Sequence, residues 1–228
     1  MIPPLILQEA EKKGVNLIAI TDHNACHNAP AVMEAAEGTN IHVMPGMEIQ
    51  SREEVHLLCL FDDLPSCLTW QEMVFQKLPP LINKESLFGP QYVVDAHGEW
   101  LWTEERLLAT SVDMSLEEIV SQVALLGGLV IPAHVNRSSY SVLANLGFIP
   151  QSLAAQAMEV TPNFVKEESF RQWPQLMNHC LIINGDAHRL GEIQNRTMFK
   201  LAYPLIKEML MAFQGQQGRQ VMVVWPNN

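Results

Sequence analysis

Short apolar runs that carry ionisable side chains of metal-ligand type constrain this chain more than any other feature. Asp22 and His23 follow VNLIAIT, Glu48 closes HVMPGME, His56 lies in VHLLCLF, His134 ends GGLVIPAH, and Asp186 and His188 end CLIINGDAH. These runs have strand length and are bounded by turn residues, and VNLIAI suits a strand buried on both faces. Helical patterns separate most of them: AVMEAAEG after Pro30, SLEEIVSQVALLG with Ser115 as cap and Glu118 completing a capping box, SYSVLANLG after Arg137, and YPLIKEMLMAFQG. The alternation predicts an α/β fold with a largely parallel sheet, whose strands deliver their C-terminal ends to one rim.

A lone His or Asp at a strand end is commonly a cap or a hydrogen-bonded structural residue. Several together are another matter. Burying one unpaired carboxylate costs several kcal/mol, and repeating that at successive strand ends calls for a cation. Mixed imidazole and carboxylate donors suit zinc, manganese or iron better than calcium or magnesium. His27, His42, His97 and His179 sit at a helix start, a strand start, a turn and a loop, and are not assigned as ligands. Cys26, Cys59, Cys67 and Cys180 form no CxxC pair and are expected to be free thiols.

A first helix starts near Ile2 and stops at Gly14. QYVVDAHGEWLW, residues 91–102, reads as a hairpin within an insertion at about residues 62–114, and residues 1–228 read as a single domain. With 48% hydrophobic residues the chain can bury a core, which excludes global disorder. No signal peptide or membrane span is visible, so a cytoplasmic protein without membrane association is expected. A formal charge of −11 argues against nucleic-acid polymers and anionic lipid as partners.

ITDHN at 20–24, PGMEI at 45–49, EVHLL at 54–58, IPAHVNR at 131–137 and GDAHRLGEI at 185–193 together resemble the PHP (polymerase and histidinol phosphatase) family of metal-dependent phosphoesterases. The pieces follow the family's order and span nearly the whole chain. The resemblance implies a distorted seven-stranded TIM-like β/α barrel whose rim holds two or three divalent ions. Glu48 resembles the carboxylate that bridges two ions, with His56 and His134 completing one of them. Asp186 resembles a ligand of another ion, His23 and His188 resemble ligands of a third, and Asp22 would orient a ligand. The family's opening His-x-His strand has no counterpart after Met1, so the expectation is that the first strand is missing here and that the true polypeptide begins upstream.

The activity so implied is hydrolysis of a small phosphorylated substrate by a hydroxide bridging two ions. Arg137 and Arg189 are placed to clamp phosphate, and His188 or His23, if not metal-bound, to protonate the leaving oxygen. Two alternatives use the same residues: a binding or regulatory module with an incomplete site, and a metal-dependent amidohydrolase. Substrate identity and oligomeric state are open at this level.

Overall fold

The computed structural model describes residues 1–226. In chain order its elements are α1 (Pro3–Lys12), β1 (Leu17–Ile20), α2 (Ala29–Ala35), β2 (His42–Gln50), β3 (His56–Leu60), α3 (Leu64–Phe75), the single turn α4 (Glu85–Phe88), β4 (Tyr92–Val94), β5 (Trp100–Thr103), α5 (Leu116–Leu125), β6 (Leu129–Pro132), α6 (Val142–Leu146), β7 (Ala157–Val160), α7 (Lys166–Gln172), β8 (Cys180–Ile183), β9 (Thr197–Lys200), α8 (Ile206–Phe213) and β10 (Gln220–Val223). The fold is mixed α/β. Local chemistry acts as the sequence implies: prolines occupy the first turn of α1, and Ser115 and Glu118 close a reciprocal capping box on α5. The predicted hairpin is the β4–β5 pair, and all four cysteines are free.

The sheet differs from the largely parallel one expected. β1 and β2 are parallel, but β3 is antiparallel to both β2 and β6, giving the order β1-β2-β3-β6. The cause is the link across residues 51–55, too short for the crossover of about a dozen residues that parallel neighbours need. β1 is also less covered than a strand buried on both faces, since it lies at the outside of this sheet.

Nor do the described strands close into a seven-stranded barrel. β7 and β8 form a separate parallel pair, and β9–β10 and β4–β5 are further two-stranded ladders. Closure requires one continuous ladder with a consistent stagger. β6 ends at Pro132, which has no N–H to donate, and His134 then turns into the left-handed region at φ +32°. Single contacts such as Val135 N–H to the Glu159 carbonyl, 2.8 Å, replace a ladder between β6 and β7.

Behind the sheet, Met47, Ile49 and Leu57 pack with Trp70 and Val74 of α3 and with Ile119 and Val123 of α5. Gly46 permits the close approach of β2 and β3: a Cβ there would stand 2.8 Å from the Cys59 carbonyl. No helix of the described residues is long and apolar enough to cross a membrane.

The C-terminal unit is tied by an ion pair. Glu208 on α8 accepts from Arg219 Nε at 2.8 Å and Nη2 at 2.9 Å, and from Ala202 N–H at 2.8 Å. Arg219, and then the Ala202 amide, hold its carboxyl down to about 2. A depressed carboxylate pKa contributes stability that is present above the ordinary value near 4.5 and lost as pH falls toward 2. Glu208→Gln should therefore be less stable than the parent at pH 7 and converge with it below about pH 2. Denaturant midpoints measured across pH check this, and a pH-independent difference would contradict it.

Candidate metal centre

The backbone itself brings His23 to Glu48. Parallel pairing continues past β1 as a bridge between these two residues, with Glu48 N–H donating to the Asp22 carbonyl (3.2 Å) and Asn24 N–H to the Glu48 carbonyl (2.9 Å). Buried Asn24 locks the loop: its Nδ2 donates to the carbonyls of Leu108 and Thr110, and its Oδ1 accepts from Gln50 N–H.

His56 arrives from the opposite direction. Because β3 is antiparallel, its first residue, not its last, lies at the rim. Leu58 stands opposite Glu48, so His56, two residues away, shares Glu48's face of the sheet. His134 follows β6 and sits beside the start of β3, where Ala133 N–H donates to the His56 carbonyl.

Three imidazoles thus surround one buried carboxylate. His56 Nδ1 is 2.8 Å and His134 Nε2 3.2 Å from Glu48 Oε1, while His23 Nδ1 is 3.6 Å from Oε2. Loss of water opposes ionisation of Glu48, yet hydrogen bonds from His134 and His56 outweigh it and hold the carboxyl well below the usual carboxylate range. His23, partly covered, is pushed below its ordinary value by desolvation, an effect the Glu48 charge only partly offsets. Tyr140 stacks on His56 at 4.9 Å with an interplanar angle of 19° and accepts the His56 N–H through its carbonyl.

A second group lies alongside. Asp186, just past β8, pairs with Arg137 Nη1 at 3.1 Å, and His188 Nδ1 is 3.0 Å from the Asp186 carbonyl. The His188 ring is 5.8 Å from that of His23, so the two groups are contiguous. His134, Arg137, Glu159, Thr161, Asn184 and Asp186 line a cavity of about 120 Å³, room for several waters or a group of similar size. His134, Tyr140 and Asp186 all have positive φ, a conformation costing non-glycine residues on the order of 1–3 kcal/mol each.

The structure therefore brings together His23, Glu48, His56 and His134, with Asp186, His188 and Arg137 at the adjoining edge. It does not bring Arg189 in: this residue is exposed, its N–H is spent on Glu192, and no ion pair links it to Glu48 or Asp186 among the described residues. The Asp22 carboxylate accepts from Asn28 Nδ2 at 3.2 Å and makes no hydrogen bond to an imidazole among the described residues. His27 lies outside the group, paired with Glu104 at 3.3 Å. Sequence reasoning missed Tyr140 and Glu159. Glu159 is buried, accepts from His134 N–H at 3.0 Å, and is pushed up to about 7, chiefly by burial. Its signal was present as a lone carboxylate inside the apolar strand AMEV.

These residues fit a divalent ion. His23, Glu48 and His56 each offer one donor atom within 4.8 Å of the others. His134 adds its Nε2, which faces Glu48 Oε1 at 3.2 Å. Such nitrogen and carboxylate donors are those of zinc, manganese and iron sites.

Comparison with known proteins identifies the family and the fold. A family model, the PHP domain, matches residues 3–127, more than half of the chain. An uncharacterised protein of Methanocaldococcus jannaschii is 34% identical over 73 residues, covering 32% of this chain and 43% of that protein. The lesion-specific endonuclease Q of Pyrococcus furiosus superposes with a TM-score of 0.68 at 18% identity, covering 97% of this chain and 53% of the other. Endonuclease Q in complex with a 27-mer duplex carrying an abasic lesion at the active site gives 0.66 at 16% identity, with 96% and 53% coverage. An amidohydrolase of Chromobacterium violaceum, solved with sulfate and no metal, gives 0.60 at 16% identity, with 98% and 93% coverage. The chain spans about half the length of the endonuclease Q structures. The expectation that a nucleic-acid polymer is an unlikely partner is overturned by the duplex bound to one of these structures. Net charge bounds non-specific attraction across the whole surface, whereas ions held in a cleft reverse the local field.

Proposed function

The chain belongs to the PHP domain family of metal-dependent hydrolases, and from that premise we propose that it hydrolyses a phosphoric ester at the Glu48 centre. The observation that carries this reading is the convergence of His23, His56 and His134 on one buried carboxylate, with an arginine at the edge of the group. Divalent ions, when bound there, supply Lewis acidity and lower the pKa of water toward neutrality. His23, Glu48, His56 and His134 would hold them, together with Asp186 and His188. The chain's own groups divide the remaining work. Arg137 lies at the cavity and presents a guanidinium to phosphoryl oxygens, while Asp186 fixes its direction. Where it is not holding an ion, His188, whose side chain is more than half exposed, would pass a proton to the leaving oxygen.

The substrate is a phosphoester in this reading, either a small monoester or a nucleic-acid phosphodiester. The duplex held by the endonuclease Q structure favours keeping the second. The test is a panel comprising p-nitrophenyl phosphate, bis-p-nitrophenyl phosphate, duplex DNA with an abasic lesion and a cyclic amide, each with manganese or zinc and with chelator. Chelator-sensitive cleavage of at least one phosphoester is the expected result, and turnover confined to the amide would contradict it.

A further inference from the structure

We infer that Glu159 is a positioning residue for the metal centre: it holds the His134 backbone in the left-handed conformation that aims the imidazole at Glu48. The inference rests on the metal-centre reading above and concerns how the centre is built.

His134 is the one imidazole of the group contributed by a residue with positive φ. A metal-ligating imidazole usually has its orientation fixed through its other ring nitrogen, which donates to a carboxylate, carbonyl or water. His134 lacks that device, since its Nδ1 is buried without a partner while its Nε2 faces Glu48. A carboxylate is nevertheless at hand. Glu159 spends it on the backbone: Oε2 accepts the His134 N–H at 3.0 Å, and its carbonyl accepts the Val135 N–H at 2.8 Å. Two successive amides are thereby fixed to one residue of β7, and Arg137 N–H to the His134 carbonyl, 2.8 Å, completes the turn. The geometry of His134 is thus set through the main chain.

A buried carboxylate is an expensive way to accept a single amide hydrogen bond, and an apolar residue would suit a four-residue buried strand better if packing were the only requirement. The placement makes sense if the left-handed turn at His134 must be held against relaxation. Glu159→Gln keeps an oxygen able to accept from His134 N–H, whereas Glu159→Met keeps the volume and loses the acceptor. Both conserve side-chain size, so folding should survive, which circular dichroism checks.

The experiment is titration of the parent and both variants with Co²⁺, reading affinity and the visible ligand-field spectrum. Glu159→Met should bind about 10–100-fold more weakly with a changed spectrum, and Glu159→Gln should return to within about threefold of the parent with the parent's spectrum. Equal affinity and spectrum in all three proteins would overturn the inference and leave the metal centre standing. A glutamine variant as impaired as the methionine one would also overturn it. Absence of Co²⁺ binding by the parent would instead overturn the metal-centre reading on which it rests.

Discussion

Replacing Glu48 by Gln should lower metal-dependent hydrolysis by at least about 10³-fold, equivalent to roughly 4 kcal/mol of transition-state stabilisation. Glu48 is the carboxylate on which the rings of His23, His56 and His134 converge, and it is buried. Gln has nearly the same shape, so the sheet register at position 48 is kept, but the charge that favours a cation among three imidazoles is gone. Steady-state rates with saturating manganese measure the effect. A variant retaining a tenth or more of the parent's kcat/KM would place the reaction elsewhere. The same substitution removes a carboxylate whose pKa the folded state depresses, so its stability difference from the parent should shrink as the medium becomes strongly acidic.

The largest effect on stability is expected at Trp70. This residue of α3 is fully buried among Met47, Leu57 and Ile119 at the back of the sheet that carries Glu48. Trp70→Ala should cost about 3–5 kcal/mol through lost burial and the cavity left behind. Trp70→Phe should cost much less, because Nε1 is buried without a hydrogen-bond partner, so no hydrogen bond is lost with it. Denaturant unfolding of the three proteins checks the ordering, and equal costs for Ala and Phe would show that Nε1, not volume, matters. The next residue on α3, Gln71, accepts the Cys26 N–H at 2.8 Å just beyond His23. A loosened α3 should therefore weaken metal binding as well, less than loss of Glu48 does.

Much of this architecture was legible in the residues, for identifiable reasons. Ser115 and Glu118 announce a helix start because the capping box is local chemistry, and β7 and β8 are short enough to be read from apolar content and flanking turns. Glu48, His134 and Asp186 stand out because charged or imidazole groups at the ends of apolar runs demand partners. The direction of β3 was not legible from periodicity, which is the same for parallel and antiparallel strands. Only the brevity of residues 51–55 encodes it, and that brevity puts His56 at the rim by its N-terminal end. The open arrangement of ladders depends on Pro132 and the left-handed turn at His134, which are tertiary facts. Arg189 follows His188 as closely as Arg137 follows His134, yet only Arg137 meets Asp186, because proximity in sequence does not set side-chain direction in a turn. The partner expectation failed because it applied a whole-chain charge to a local question.

The most direct test of the central claim is anomalous diffraction at the zinc edge from crystals grown with zinc. A peak flanked by Glu48, His23 and His56 is predicted, at the metal–ligand distances of about 2.0–2.2 Å usual for nitrogen and carboxylate donors. Zinc found only at surface carboxylates, with His56 and His134 still hydrogen-bonded to Glu48, would contradict it.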